Sequence, residues 1–147
     1  MDPLSITGSV IAVIQIAGTI ISICKDYITT VKDAPKDLRR VAIEVGSIKS
    51  VLEVLEFSVQ TDHRDSDILE ILTRPDGPLV GCRESLSALH SIFPHVECES
   101  ANGKRRKVVL TLKSLAWPLK RERAWKALED IAHHKATISL ALTTESM

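Results

Sequence analysis

Aromatic side chains are nearly missing from this chain: two Trp, two Phe and one Tyr in 147 residues. Its core must be filled by aliphatic residues, and it lacks the interleaved aromatics on which single-stranded nucleic acid is stacked. Cysteine is scarce and odd in number, with Cys24, Cys82 and Cys98 far apart. That excludes a disulfide framework, which a chain of this length does not need. The three thiols read as reduced and cytosolic, with Cys24 and Cys82 on apolar helix faces as core filler. The six glycines are scattered singly, so no phosphate-cradling loop exists. The formal net charge is zero, which argues against a general nucleic-acid binder. No Ser, Cys or His nucleophile stands in a recognisable context. His95-x-x-Cys98 and His133-His134 are the nearest approach to metal ligands, but four convergent donors at standard spacing are missing. The expectation is a protein that is not an enzyme and holds no metal or cofactor.

Charge is missing altogether from Pro3 to Cys24, PLSITGSVIAVIQIAGTIISIC. Asp2 is a good N-cap and Pro3 a good first-turn residue, so the run begins a helix, expected over Leu4 to Lys32. Ile6, Val10, Val13, Ala17, Ile20 and Cys24 line one face, while Ile11, Ile14, Ile16, Ile21 and Ile23 put apolar mass on others. A helix apolar nearly all round is buried in a core or in lipid. The length is near the roughly 20 residues of a bilayer span, but Ser5, Thr7, Gly8, Ser9, Gln15, Gly18, Thr19 and Ser22 dilute it. A basic n-region is lacking, so the run is a poor secretory signal. The expectation is a central core helix of a bundle at rest, releasable to a membrane.

Helical periodicity carries the rest. Leu38, Val41, Val45, Ile48, Leu52, Leu55 and Val59 step by three and four, a heptad seam. Ile68, Leu69, Ile71 and Leu72 form a short helix that Pro75-Asp76-Gly77-Pro78 breaks. Leu79, Cys82, Leu86, Leu89 and Phe93 share the face of another, stopped by Pro94. Val109–Ala116 reads as a second short helix. The last helix opens at Pro118, after the Trp117-Pro118 hinge, and its seam of Ala124, Leu128, Ile131, Ile138 and Leu142 is interrupted by Lys135. The fold class is therefore all-α, an antiparallel helical bundle of four main helices plus one or two short ones, forming a single domain over 1–147.

The neutral total hides an asymmetry. Lys104 to Lys126 holds nine Lys or Arg and one Glu, a local charge of +8. Such a stretch fits an acidic partner, anionic lipid among them, at about 1 kcal/mol per well-placed basic residue. The candidate lipid patch is Lys104, Arg105, Arg106, Lys107, Lys120, Arg121 and Arg123. The candidate membrane-active residues are Leu4, Ile6, Val10, Val13, Ile14, Ala17, Ile20 and Ile21.

The opening Asp2-Pro3-Leu4-Ser5-Ile6-Thr7-Gly8-Ser9-Val10-Ile11-Ala12-Val13-Ile14-Gln15 resembles the start of the HeLo-like N-terminal domain of fungal NOD-like (STAND) receptors. So do Val31-Lys32-Asp33-Ala34-Pro35-Lys36-Asp37-Leu38-Arg39-Arg40 and the block Leu115-Ala116-Trp117-Pro118-Leu119-Lys120. The resemblance covers almost the whole chain. It implies a cell-death effector bundle, cytoplasmic at rest and followed by C-terminal receptor domains. On activation it would homo-oligomerise and reach anionic lipids of the plasma membrane, with the helix matching Leu4 to Cys24 freed to attack it. The competing expectation is a homotypic or heterotypic protein-docking domain without membrane activity, and a nucleic-acid-binding domain is the third and weakest reading.

Overall fold

The computed structural model describes residues 3–30, 36–61, 66–93 and 117–146. They form α1 (Pro3–Thr30), α2 (Asp37–Thr61), α3 (Ser66–Thr73), α4 (Pro78–Ile92) and α5 (Trp117–Ser146). The all-α architecture expected from periodicity is observed, with four main helices and one short one among the described residues. The short helix expected at Val109–Ala116 lies outside them, as do His95, Cys98 and Lys104–Lys107.

Each main helix buries one stripe at three- and four-residue steps. In α1 it is Ile6, Val10, Val13, Ala17, Ile20, Cys24 and Tyr27; in α2, Leu38, Val41, Val45, Ile48, Leu52 and Leu55. Leu79, Cys82, Leu86, Leu89 and Ile92 of α4 and Ala124, Leu128, Ile131 and Ile138 of α5 complete one contiguous aliphatic core. At the end of α2 the stripe passes to Ser58 rather than the expected Val59, which is only partly buried. The α4 start is cut by a backbone constraint. A Cβ on Gly77 would lie 2.7 Å from the Ile71 carbonyl oxygen and 3.0 Å from that of Arg74. Pro78 then occupies the first turn of α4, where a missing N–H costs nothing.

Helices adjacent in the chain run antiparallel: Lys120 at the start of α5 meets the Ile92 carbonyl at the end of α4. The two hairpins lie side by side in the same sense, because Asp37, Arg40 and Ser47 of α2 meet Arg121, Trp125 and Lys135 of α5 in that order. α1 packs on α2 and α4, and α5 packs on α4 and α2. That arrangement corrects one expectation. α1 is not a central helix but a corner helix, with 28 % of its apolar window buried. Gly8, Ser9, Ala12, Gln15, Thr19 and Ser22 all face solvent. Small and hydroxyl residues on one side let a helix rich in isoleucine occupy a corner of the bundle.

Candidate functional site

Of the candidate membrane-active residues, Ile6, Val10, Val13, Ala17 and Ile20 are in the core, and Ile14 and Ile21 are partly buried against it; the Leu4 side chain lies outside the described ones. The strongest apolar residues of α1 therefore point inward at rest. Ile6–Thr29, 24 residues, is long and apolar enough to cross a membrane. Its dilution by hydroxyl groups is less severe than composition suggests. Thr19 Oγ1 donates to the Gln15 carbonyl at 3.0 Å, and Thr29 Oγ1 to the Lys25 carbonyl at 2.9 Å. A hydroxyl bonded back to its own helix travels with that helix and is already satisfied when water is removed. Sequence reasoning counted Thr19 as polar and missed the pairing, although a Thr four residues after any helical carbonyl is the signal for it.

The candidate lipid patch is divided. Lys104, Arg105, Arg106 and Lys107 lie outside the described residues. Lys120, Arg121 and Arg123 open α5, each with a different neighbourhood. Lys120 Nζ donates to the Ile92 carbonyl at 3.1 Å, where a cation satisfies the end of α4. Arg121 Nε is 3.1 Å from Asp37 Oδ2. Arg123 borders an open groove with Glu84, Ser85, Lys126 and Asp130. Packing brings in residues that the sequence did not single out. The guanidinium carbon of Arg40 lies 4.5 Å from the centre of the Trp125 ring, and that of Arg121 lies 5.7 Å from the same ring. Lys36, Arg39, Arg40, Lys120, Arg121 and Arg123 thus gather at one pole of the bundle, where α2 and α5 begin.

Cys82 is fully buried, and burial pushes its thiol up to about 12. Such a thiol is a weak nucleophile and an inert filler. Lys135, expected to interrupt the α5 seam, is half-buried there and donates to Ser47 Oγ at 2.9 Å. Among the described residues, no group of three or more His, Cys, Asp or Glu is placed to hold a metal ion. His133 and His134 stand edge to face, 5.7 Å between ring centres.

The fold and site together define a helical-bundle domain with a membrane-length apolar helix at one corner and a basic pole. Over residues 1–147 the chain matches the family described as pigment biosynthesis cluster protein PigL N-terminal, and it belongs to that family. It is similar to azaphilone pigments biosynthesis cluster protein L of Monascus ruber, with 20 % identity over 142 residues, covering 97 % of this chain and 30 % of that protein. The chain therefore spans less than a third of the length of this curated relative. No solved structure matches it.

Proposed function

We propose that this domain is a HeLo-like N-terminal signalling and effector module of a longer fungal protein, which clusters and then acts on membranes through α1 to execute regulated cell death. The observation that supports this most is the position of α1. A helix of membrane length, uncharged from Pro3 to Cys24, sits at a corner of the bundle and contacts two neighbours, so it can leave without separating α4 from α5. Release is costly. Each large aliphatic side chain withdrawn from the core forfeits about 1.5–3 kcal/mol, and the buried stripe of α1 totals on the order of the whole stability of a small domain. Membrane binding shifts the bundle only by its differential affinity for the opened form. Clustering, directed by C-terminal domains of the parent protein, and anionic lipid at the plasma membrane together supply that difference to a resting cytoplasmic form.

Dye release from anionic liposomes tests the reading, with 1–147 beside a variant lacking residues 1–24 that is first shown to remain helical by circular dichroism. Leakage by the full domain, lost on truncation, supports it. Absence of both leakage and vesicle binding, even by an artificially clustered domain, sinks it.

The outer face of α2 favours a second reading, a non-lytic docking module whose partner is a second copy of this chain. Ile43 is 71 %, Val54 53 % and Phe57 65 % exposed. A Cβ on Gly46, between them, would meet nothing within 4 Å, leaving a notch. In a two-fold antiparallel pair centred on Ser50, Ile43 faces Phe57 of the other copy, and Val54 faces the notch. Lys49, bonded to Glu53 within its own helix, then lies on the same flank as Glu53 of the other copy and offset from it by two residues, about 3 Å along the axis, giving charge complementarity on one flank. Sedimentation of wild type and Phe57→Glu without lipid separates the readings. A dimer lost in the variant supports docking, whereas a monomer at all concentrations excludes it.

A further inference from the structure

Two arginines sharing one indole ring at the basic pole are left unused by the action of α1. Arg40 comes from the first turn of α2, Arg121 from the start of the second turn of α5, and Trp125 sits one turn further along α5. Stacking on a π face orients a guanidinium while leaving its N–H edge available for in-plane hydrogen bonds. Asp37 takes the Nε of Arg121, which fixes that side chain, and its two terminal nitrogens meet no carboxylate among the described residues. Arg40 has no carboxylate partner among the described residues. Two cations held at one ring repel each other, and the single carboxylate of Asp37 offsets only part of that. The remaining charge at this pole is net positive, with Lys36, Arg39, Lys120 and Arg123 against Glu122 and, one turn on from Arg40, Glu44.

We infer that Arg40 and Arg121, held on Trp125, form a binding site for a phosphate monoester. The chemistry fits that class better than a carboxylate. A phosphate monoester carries about −1.5 to −2 charge at neutral pH and offers three acceptor oxygens, enough to engage both forks at once, and arginine forks match its geometry in a bidentate manner. Orphan N–H groups at the starts of α2 and α5 add positive potential at the same pole. The group can be supplied by a lipid headgroup or by a free phosphate. This deepens the membrane reading by giving the bundle a defined end to set against a phosphate-bearing surface, yet the site stands on geometry that does not require α1 to move.

The experiment follows Trp125 fluorescence in Trp117→Phe protein of residues 1–147, together with co-flotation. The probes are inorganic phosphate, phosphatidylcholine vesicles containing phosphatidic acid, and phosphatidylserine vesicles matched to them in surface charge. Binding is read rather than leakage, so failure of this site and failure of the effector reading are seen separately. The expected result is about a tenfold preference for phosphatidic acid over phosphatidylserine, lost in Arg40→Gln and also in Arg40→Lys, which keeps the charge but not the fork. Arg39→Gln, an exposed neighbour off the ring, keeps the preference. Circular dichroism and melting confirm that each variant folds. A fluorescence change with inorganic phosphate that Arg40→Gln abolishes supports the site and identifies free phosphate as sufficient. Vesicle preference without that change supports it with the headgroup as the source. Equal binding to both anionic vesicles, with Arg39→Gln and Arg40→Gln weakening it alike, overturns the site in favour of diffuse charge, and so does absence of binding to every probe.

Discussion

α1 and α5 make an instructive pair. They are of nearly equal length, both occupy corners of the bundle, and both bury one stripe at heptad steps against two neighbours. They differ on the side turned to water. α5 shows Glu122, Lys126, Glu129, Asp130 and His133 there, whereas α1 shows Gly8, Ala12, Gln15, Thr19 and Ser22, with no charge before Lys25. Their buried stripes also differ, because α5 places Lys135 on its seam and α1 keeps its seam wholly apolar. The inward face decides whether a helix belongs in the bundle; the outward face decides whether it could belong anywhere else. α5 is committed to water on one side, while α1 is compatible with water, protein or lipid.

The largest effect comes from charging the face that the two helices share in kind. Ile20→Glu in α1 and Ile138→Glu in α5 each place an unpaired carboxylate in a fully buried position. Each should cost about 3–5 kcal/mol and collapse the melting transition, as measured by circular dichroism. If Ile20→Glu were mild while Ile138→Glu unfolded the domain, α1 would already be loosely held at rest.

Next in size is alkaline destabilisation through the buried Cys82 of α4. Below pH 9 the Cys82 thiol is protonated in both folded and unfolded states and contributes no slope. Above that, the unfolded chain releases the proton while the folded one keeps it until about 12. The folded state then binds more protons, so stability falls as pH rises through this window, by about 1.4 kcal/mol per pH unit for this group. Urea unfolding between pH 9 and 11 checks it, and Cys82→Ala should reduce the slope by about that amount while leaving the like contribution of Cys24, whose buried thiol is also pushed up to about 12.

Smaller again is Lys135→Leu, which makes the α5 seam as apolar as that of α1. Replacing a partly buried cation by an aliphatic side chain should raise stability by about 1 kcal/mol. A loss instead would show that the bond to Ser47 sets the register of α5 on α2, as single polar seam residues do in coiled coils.

The smallest effect on stability separates the helices most sharply. Ala12→Glu lies on the exposed side of α1 and should change melting by less than about 0.5 kcal/mol. On the effector reading it should nevertheless abolish liposome leakage, since a carboxylate in mid-span opposes insertion. Lys126→Glu on the exposed side of α5 should leave leakage unchanged apart from its charge contribution. Unaltered leakage by Ala12→Glu would remove α1 from the membrane step.

Much of this organisation was legible in the chain because period and burial are the same physical fact. The steps of three and four in α2 named six of its buried residues in advance, and those in α1 did the same for Ile6 to Cys24. Proline and glycine marked the breaks for an equally local reason: Gly77 is required by three nearby carbonyls, those of Ile71, Leu72 and Arg74, all within six residues of it. The basic block before Lys126 was visible as composition, but the meeting of Arg121 with Arg40 on Trp125 was not.

What the sequence by itself determined is the helical class, the inward stripe of each helix, and the uncharged length of α1, since each depends on residues only a few positions apart. Tertiary structure alone decided that α1 stands at a corner rather than the centre, that Lys135 reaches Ser47, and that Arg40 and Arg121 meet on Trp125 across a separation of some eighty residues. The physical reason is the same in each case. An apolar pattern specifies that a face must be covered but not which helix covers it, and the positions left outward by that choice become the surface on which function is built.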